Sequence, residues 1–139
     1  MIFVDTWAWL ALAHKRDPYH RAAVQQHRNL QRSRRRYVTT DYVLAETMSP
    51  LFGVLNFAKA EQFMSNLFQS IRTDHYQLER ISPARFEQAW AMRQKYHDKP
   101  DIAFVDFTSM VVMLDLGITE VFTGDDHFRQ VNLGFQLIS

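Results

Sequence analysis

The stretch Ile2-Phe3-Val4-Asp5-Thr6 sets the pattern for the rest of the chain. Three apolar residues in a row are typical of a short buried strand, and this run stops at Asp5. The residues that follow have helical spacing, with Trp7, Leu10 and Ala11 on one face. A strand that passes directly into a helix predicts a crossover connection in a parallel sheet, where ligands bind outside the carboxyl ends of the strands. Asp5 therefore occupies a position where a site would form.

Short strands and longer helices alternate along the chain, with no internal repeat and no linker rich in glycine or serine. Apolar and alternating patterns predict strands at residues 2–4, 37–39, 76–81, 120–122 and 135–138. Helical spacing and capping residues predict helices at residues 6–14, 17–32, 41–51, 57–71, 83–96 and 104–116. We therefore expect one α/β domain over residues 1–139, with three α/β/α layers and a mainly parallel sheet of about four or five strands.

The composition limits the class of protein and the kind of site. With 139 residues, 47% of them hydrophobic, the chain can bury a core without disulfides, and it has no cysteine for a disulfide or a thiolate metal site. A formal net charge of +1 does not by itself indicate a nucleic-acid binder. The first residues do not resemble a signal peptide, and no apolar run approaches the ~20 residues needed to cross a bilayer. We expect a cytoplasmic protein with no membrane partner.

Acidic residues recur at the carboxyl ends of the predicted strands. They are Asp5, Asp41, Glu46, Asp125 and Asp126 after the strands, and Asp106 at the start of the helix that leads into the fourth strand. Carboxylates gathered at one edge of the sheet would repel one another unless a cation compensates their charge. Oxygen ligands without cysteine or paired histidine favour Mg²⁺ or Mn²⁺, and such clusters support hydrolysis of phosphodiesters.

Most of these acids also have a purely structural explanation. Asp5 precedes a helix and could serve as its N-cap, and Asp106 in a first helical turn is favoured by the helix dipole alone. Asp125 and Asp126 follow a glycine in a composition common in turns. Glu46 is harder to explain in this way, because its neighbours are apolar and a helix rarely buries an unpaired carboxylate. We favour a site, because the structural explanations would all have to hold at one edge of the sheet.

Four ordered segments of the chain resemble the PIN-domain nucleases, and among these the VapC-type toxins of prokaryotic type II toxin–antitoxin pairs. The segments are Ile2-Phe3-Val4-Asp5-Thr6, Thr39-Thr40-Asp41-Tyr42-Val43-Leu44-Ala45-Glu46-Thr47, Phe104-Val105-Asp106-Phe107-Thr108-Ser109 and Thr123-Gly124-Asp125-Asp126-His127-Phe128. Each segment alone has low specificity, but together they match the family in order and spacing over nearly the whole chain.

The resemblance implies which residues form the site. The predicted catalytic and metal-binding residues are Asp5, Glu46, Asp106 and Asp125, which would bind Mg²⁺ or Mn²⁺ directly or through water. Glu46 would either ligate a cation or orient a water molecule. The hydroxyls of Thr6 and Thr123 would hold the carboxylates in their rotamers.

Several residues near these segments remain open to two interpretations. Asp126 could take the place of its neighbour in the site, and Asp41 could join the cluster or only cap its helix. His127 is expected near the same edge, where it could touch substrate. Of the two tryptophans beside the first acid, Trp7 is predicted to be core, and Trp9 is a candidate for stacking a base, although packing is the favoured interpretation.

The resemblance also implies an activity and partners. The protein would be a metal-dependent endoribonuclease that leaves a 3′-hydroxyl and a 5′-phosphate, and it would inhibit translation until a cognate antitoxin binds. The alternative is a PIN-fold module that binds RNA or protein without catalysis, although the presence of all four acids argues against it.

Two surface regions of the chain have candidate partners. Residues 51–68 are more apolar than one sheet-facing helix requires, so we expect part of this stretch to form a homodimer seam or a groove for an antitoxin segment. The arginines between Arg28 and Arg36 could guide RNA phosphates, but a solvated helix end is the favoured explanation.

Overall fold

The computed structural model describes residues 1–139. Its strands are β1 (Ile2–Val4), β2 (Tyr37–Thr40), β3 (Gln77–Glu79), β4 (Glu120–Phe122) and β5 (Gln136–Ile138). Its helices are α1 (Thr6–Ala13), α2 (His20–Arg32), α3 (Asp41–Val54), α4 (Phe57–Arg72), α5 (Pro83–Lys95), α6 (Phe104–Leu116) and α7 (His127–Gln130). None of these helices combines the length and apolar character that a membrane crossing requires. The predicted alternation of strands and helices is confirmed.

All five strands are parallel and lie in the order β3-β2-β1-β4-β5. Phe3 in β1 pairs with Val38 in β2 on one side and with Val121 in β4 on the other. Crossovers between parallel strands are right-handed, so the path from β1 to β3 places α1–α4 on one face of the sheet. The path from β3 to β5 runs in the opposite direction and places α5–α7 on the other face. The expected α/β/α architecture is confirmed, with a wholly parallel sheet.

The centre of the sheet forms the core of the molecule. Phe3 and Val4 in β1, like Val121 and Phe122 in β4, are fully buried. α6 packs against this layer and is buried continuously from Asp106 to Met113. Each large apolar side chain buried in this way stabilises the fold by about 1.5–3 kcal/mol. The turns that follow β1 and β4 are therefore held by the best-packed part of the structure.

α3 continues through Pro50 to Val54, whereas the sequence predicted an end near residue 51. Proline inside a helix removes a backbone hydrogen bond and usually ends or kinks the helix. Here Leu51 is fully buried and packs with Ala60 and Met64 of α4. This tertiary contact stabilises the last turn of α3 although proline disfavours it.

Smaller differences concern the ends of other elements. α2 begins at His20 and not at Asp17, because Asp17 Oδ1 accepts a 2.8 Å hydrogen bond from Tyr19 N and forms a separate turn. β3 covers residues 77–79 of the predicted 76–81. The single-turn helix α7 was not predicted, since four residues are too few to show helical periodicity.

From β1 the chain continues to β2 and then β3 in one direction across the sheet, and from β4 it continues to β5 in the opposite direction. The strand order therefore reverses between the neighbours β1 and β4. Asp5 N donates a 3.2 Å hydrogen bond to Phe122 O, which places the turns after β1 and β4 side by side. In open α/β sheets such a reversal opens a crevice at the carboxyl ends of the strands. This crevice is where the predicted acids should meet.

Candidate functional site

Asp5 lies at the carboxyl edge of the sheet, between the end of β1 and the start of α1. Asp5 is only 2% exposed, because β1 and α1 are both packed into the core. Asp5 Oδ2 accepts a 2.9 Å hydrogen bond from Thr123 Oγ1. Asp5 Oδ1 is the one buried side-chain nitrogen or oxygen in the structure with no hydrogen-bond partner. The carboxylate is thus fixed by one oxygen and unsatisfied at the other.

Two helices bring Glu46 and Asp106 to Asp5. Thr40 caps α3 by accepting a 3.0 Å hydrogen bond from Val43 N, and Glu46 lies in the second turn, partly exposed. Asp106 lies in the first turn of α6, where the helix dipole favours a carboxylate. Asp5, Glu46 and Asp106 each offer one carboxylate oxygen, and these oxygens lie within 4.8 Å of one another. The structure therefore brings three of the four predicted acids together.

Asp125 approaches Asp106 from the turn after β4. Asp125 N donates to Thr123 Oγ1 over 3.0 Å, so the hydroxyl that holds Asp5 also shapes this turn. His127 Nδ1 lies 3.0 Å from Asp106 Oδ2 and 3.1 Å from Asp125 Oδ1. Ligand atoms of Asp106, Asp125 and His127 form a second group within 4.8 Å that shares Asp106 with the first. All four predicted acids thus belong to one continuous cluster.

Burial raises the pKa values of the two innermost acids. Burial, followed by the charge of Asp106, raises the pKa of Asp5 to about 7, although the hydrogen bond from Thr123 acts in the opposite direction. Burial also raises the pKa of Asp106 to about 6; the hydrogen bond with His127 opposes this change, and the charge of Asp125 adds to it. In the absence of a cation, both carboxyl groups therefore titrate close to neutral pH.

His127 compensates part of this negative charge. Burial lowers the pKa of its ring, but the hydrogen bond with Asp106 and the charges of Asp125 and Asp106 raise the pKa by more, so the pKa lies above its ordinary value. His127 is also the only basic side chain that forms an ion pair with any of the four acids. The sequence places His127 two residues after Asp125, which predicts a position near the acids. The hydrogen bond between His127 and Asp106 is a tertiary contact that the sequence does not predict.

The donor set fits a hard divalent cation. Asp5, Glu46 and Asp106 offer only carboxylate oxygens, which are the ligands that Mg²⁺ and Mn²⁺ prefer. A buried carboxylate oxygen without a partner is costly unless a ligand satisfies it, and Asp5 Oδ1 is such an atom. Both observations are what a cation site in this crevice requires.

Three other predicted residues lie outside the cluster. Asp126 is exposed and pairs with Arg129 at 3.0 Å, so it does not take the place of its neighbour. Asp41 Oδ1 accepts hydrogen bonds from Tyr42 N and Ile81 N, which ties α3 to the segment after β3. These contacts favour the structural interpretation of both acids over a place in the cluster. The Thr6 hydroxyl also differs from expectation, because it donates to the Val43 carbonyl over 3.5 Å and not to a carboxylate.

Both tryptophans were expected to pack in the core, and the structure confirms this only for Trp9. Trp9 is 3% exposed, and its Nε1 donates to Thr39 Oγ1 over 3.4 Å, so it belongs to the core as favoured. Trp7, predicted as core, is only partly buried and lies at the edge of the crevice, where its ring packs against Gly124. The correction follows from the rotation of α1, which turns Trp9 towards the sheet.

The basic cluster lies at the opposite edge of the sheet from the acids. Ile2 N donates to Arg36 O at the amino ends of β1 and β2. Arg35 forms an ion pair with Glu120 at 2.6 Å, and Arg36 forms one with Asp74 at 2.7 Å. These positions support the structural explanation of the cluster over a role in guiding RNA to the crevice.

Comparison with known proteins places this chain in a family. The sequence model of the PIN-domain family matches residues 2–133 of this chain. The chain is 32% identical over 130 residues to the 23S rRNA-specific endonuclease VapC20 from two strains of Mycobacterium tuberculosis, covering 92% of both chains. The crystal structure of Mycobacterium tuberculosis VapC20, described as a Sarcin-Ricin loop cleaving toxin, superimposes with a TM-score of 0.80 at 30% identity. That match covers 98% of this chain and 97% of the other.

Proposed function

The chain belongs to the PIN-domain family, and from that premise we propose that it is a metal-dependent endoribonuclease of the VapC toxin type. The observation that carries this proposal is the buried, unpartnered Asp5 Oδ1 within a cluster of acids at the carboxyl edge of the sheet. In this proposal, Asp5, Glu46, Asp106 and Asp125 hold one or two divalent cations. Mg²⁺ or Mn²⁺ is the proposed ion, because the donors are mainly carboxylate oxygens.

The side chains of the site have separate tasks in the proposed reaction. Glu46 is partly exposed and, unlike Asp125, has no histidine partner, so it is the acid proposed to accept a proton from a water molecule as that water attacks the phosphorus. The bond from phosphorus to the 3′ oxygen breaks, and this oxygen takes up a proton from solvent, which leaves a 3′-hydroxyl and a 5′-phosphate. Thr123 keeps Asp5 in one rotamer, and His127 keeps Asp106 and Asp125 together. A bound divalent cation would neutralise phosphate charge and lower the pKa of water.

The proposed substrate class is ribosomal RNA, which would place the activity in the cytoplasm. VapC20, which matches this chain over nearly its whole length, is named for 23S rRNA and for the sarcin–ricin loop. We therefore propose an RNA hairpin with the sequence of that loop as the first substrate to test.

A groove beside the ends of α1 and α3 is the proposed docking site for an antitoxin. It has a volume of about 600 Å³, with an apolar floor that includes Leu12, Leu55 and Phe63. Lys15 and Lys59 contribute positive charge at its rim. An amphipathic segment with acidic residues would match both features. Pull-down with the product of a neighbouring reading frame tests this pairing.

The homodimer remains a proposal of its own. Of the apolar stretch that prompted it, Leu51, Ala60 and Met64 belong to the core, while Phe52 and Phe57 are exposed. The exposed pair, with ring centroids 5.4 Å apart, is the part available for a second copy. Light scattering after size-exclusion chromatography tests this proposal, and a monodisperse monomer would remove it.

Cleavage of the sarcin–ricin hairpin tests the proposed activity. The wild-type protein should cut this RNA with Mg²⁺ or Mn²⁺ and should lose the activity in EDTA. Asp126→Asn is the matched control for the site variants, because Asp126 is exposed and lies outside the cluster. Activity that survives chelation would contradict the metal-dependent mechanism. Cleavage of no RNA, together with no cation binding in calorimetry, would favour the non-catalytic module instead.

A further inference from the structure

A partly buried tryptophan and an exposed tyrosine border the acid cluster. Trp7 lies two residues after Asp5, and its ring packs against Gly124, one residue before Asp125. Tyr19 lies beside Trp7, with ring centroids 5.4 Å apart. We propose that Trp7 and Tyr19 form a platform on which a base of the RNA stacks, next to the phosphate that is cut. This inference rests on the proposed ribonuclease function and names the element that positions its substrate.

Gly124 gives the indole ring its place. A Cβ on residue 124 would overlap Trp7 Cε2 and Cζ2 and would lie 2.9 Å from Nε1. The ring therefore lies directly on the backbone of the turn that carries Asp125, and it joins this turn to the one after β1. Gly124 is itself exposed, so this contact is at the surface and not within the core.

Tyr19 extends the platform outward from Trp7. It is 56% exposed, and its ring is inclined by 47° to the indole. The loop that carries it is well fixed, because Tyr19 N donates to Asp17 Oδ1 over 2.8 Å and His20 Nδ1 lies 2.7 Å from Ala11 O. A ring held in place before the RNA arrives loses little conformational entropy on binding.

Tyr19 is open to a nucleobase, and Trp7 packs against the core with only part of its surface. Trp9, on the same helix, shows what a packed tryptophan looks like here, with 3% exposure and a hydrogen bond to Thr39. Tyr19 has no such burial. Aromatic side chains bind the faces of all bases, and the exposed Arg16 and Arg21 near Tyr19 add positive charge for the phosphates. Loss of one stacked base typically weakens binding by about 5- to 100-fold.

Abasic substitution in the RNA provides the test. The sarcin–ricin hairpin is prepared as a series in which each nucleotide around the cut lacks its base, and kcat/KM is measured with Mg²⁺ for every member. The wild-type protein should lose about 5- to 100-fold at one position within about two nucleotides of the cut. Trp7→Leu and Tyr19→Leu should show this loss, mainly in KM, on the unmodified hairpin, and they should be insensitive to the abasic site at that position. Trp7→Phe should keep part of the sensitivity.

The chain offers a matched control in a second aromatic pair. His75 is exposed and its ring centroid lies 5.8 Å from that of the partly buried Tyr76, just before β3 and so at the edge of the sheet opposite to the acids. His75→Leu should behave as the wild type across the series, and thermal melts should show that every variant is folded.

Two results would overturn this inference while leaving the ribonuclease proposal intact. In the first, the Trp7 and Tyr19 variants cut the unmodified hairpin as well as the wild type. In the second, they lose the same factor on every member of the series, which indicates a structural effect. A folded wild-type protein that cuts no RNA with either metal would end both proposals together.

Discussion

Thr123 Oγ1 donates a 2.9 Å hydrogen bond to Asp5 Oδ2, although 118 positions separate the two residues in the sequence. The same oxygen accepts a 3.0 Å bond from Asp125 N. One hydroxyl therefore fixes the carboxylate after β1 and the turn after β4, and it leaves Asp5 Oδ1 free. The first prediction follows from this relationship.

Thr123→Val should weaken Mg²⁺ binding and cleavage by about 10- to 100-fold, because the hydroxyl that orients the Asp5 carboxylate is lost while the side-chain shape is kept. Calorimetric titration and cleavage rates measure the two effects. Thr108→Val is the matched control, since the buried Thr108 hydroxyl donates to Val105 O within α6 and touches no acid. Equal losses in both variants would show that Thr123 acts only through stability.

Asp5→Asn and Asp106→Asn should each reduce cleavage by on the order of 10³-fold, since a bound cation supplies several kcal/mol of transition-state stabilisation. The fold should survive, because at about pH 8 the neutral amide avoids the cost of a buried charge. Burial raises the pKa of Asp5 from 3.8 to about 7, which corresponds to about 4 kcal/mol of free energy. This value is the upper limit on how much Asp5→Asn can stabilise the fold relative to the wild type in EDTA. Denaturant titration provides the stability measurement, and a variant with unaltered cleavage would remove that residue from the site.

The stability of the metal-free protein should decrease as the pH rises. The pKa values of Asp5 and Asp106 are raised to about 7 and about 6, so between roughly pH 4 and 7 the folded state binds more protons than the unfolded state. The stability that these two carboxyl groups contribute is then fully present below their pKa in the unfolded chain. It is lost as the pH rises through their pKa values in the folded protein. Melting in EDTA should therefore give a steeper decrease towards about pH 8 for the wild type than for an Asp5→Asn, Asp106→Asn double variant. Parallel curves would contradict the raised pKa values.

His127→Phe should destabilise the metal-free protein by about 1–3 kcal/mol, because the Asp106 carboxylate loses its only side-chain hydrogen-bond partner. Mg²⁺ should restore more stability to this variant than to the wild type, since the cation takes over the compensation of charge. Unfolding in EDTA and in Mg²⁺ measures both values. Arg129→Met is the control: Arg129 pairs with Asp126 at the exposed surface, and its loss should cost at most about 1 kcal/mol.

Gly124→Ala should destabilise the fold by about 1–3 kcal/mol, because the new methyl group would overlap the Trp7 ring and the ring would have to move. Near-ultraviolet circular dichroism should report the displaced indole. Gly53→Ala is the opposite case, since nothing lies within 4 Å of a Cβ there and α3 gains a better helix former. A destabilisation of the same size at both positions would argue against the close contact of Gly124 and Trp7.

The strands, the helices and the acidic edge of the sheet could be predicted because they depend on short-range patterns. Apolar runs of about three to six residues and helical spacing are local signals, and the rule that sites form at the carboxyl ends of parallel strands converts them into positions. Asp5, Glu46 and Asp125 were identified by their places after strands, and Asp106 by its place in a first helical turn. Pro50 misled the prediction of the end of α3, because a buried contact of Leu51 keeps this helix regular beyond it.

The hydrogen-bond partners inside the site could not be predicted in the same way. Asp41 and Asp126 have the same residue type and the same kind of position as the clustered acids, yet Asp41 bonds the segment after β3 and Asp126 bonds Arg129. The Thr6 hydroxyl faces Val43, while Thr123 faces Asp5. Each choice depends on side-chain direction and on which distant element lies within about 3 Å, and no local pattern encodes this.

The sequence by itself determined that a strand, an acid and a helix follow one another at residues 2–13, and that tryptophans stand at positions 7 and 9. Two residues on a helix that are two positions apart point about 200° away from each other, so one of them had to face outward. Only the packing of α1 against the sheet decided that Trp9 is buried and that Trp7 borders the acids. The physical reason is that the backbone pattern fixes the spacing of side chains, whereas the rotation of a helix depends on neighbours from elsewhere in the chain.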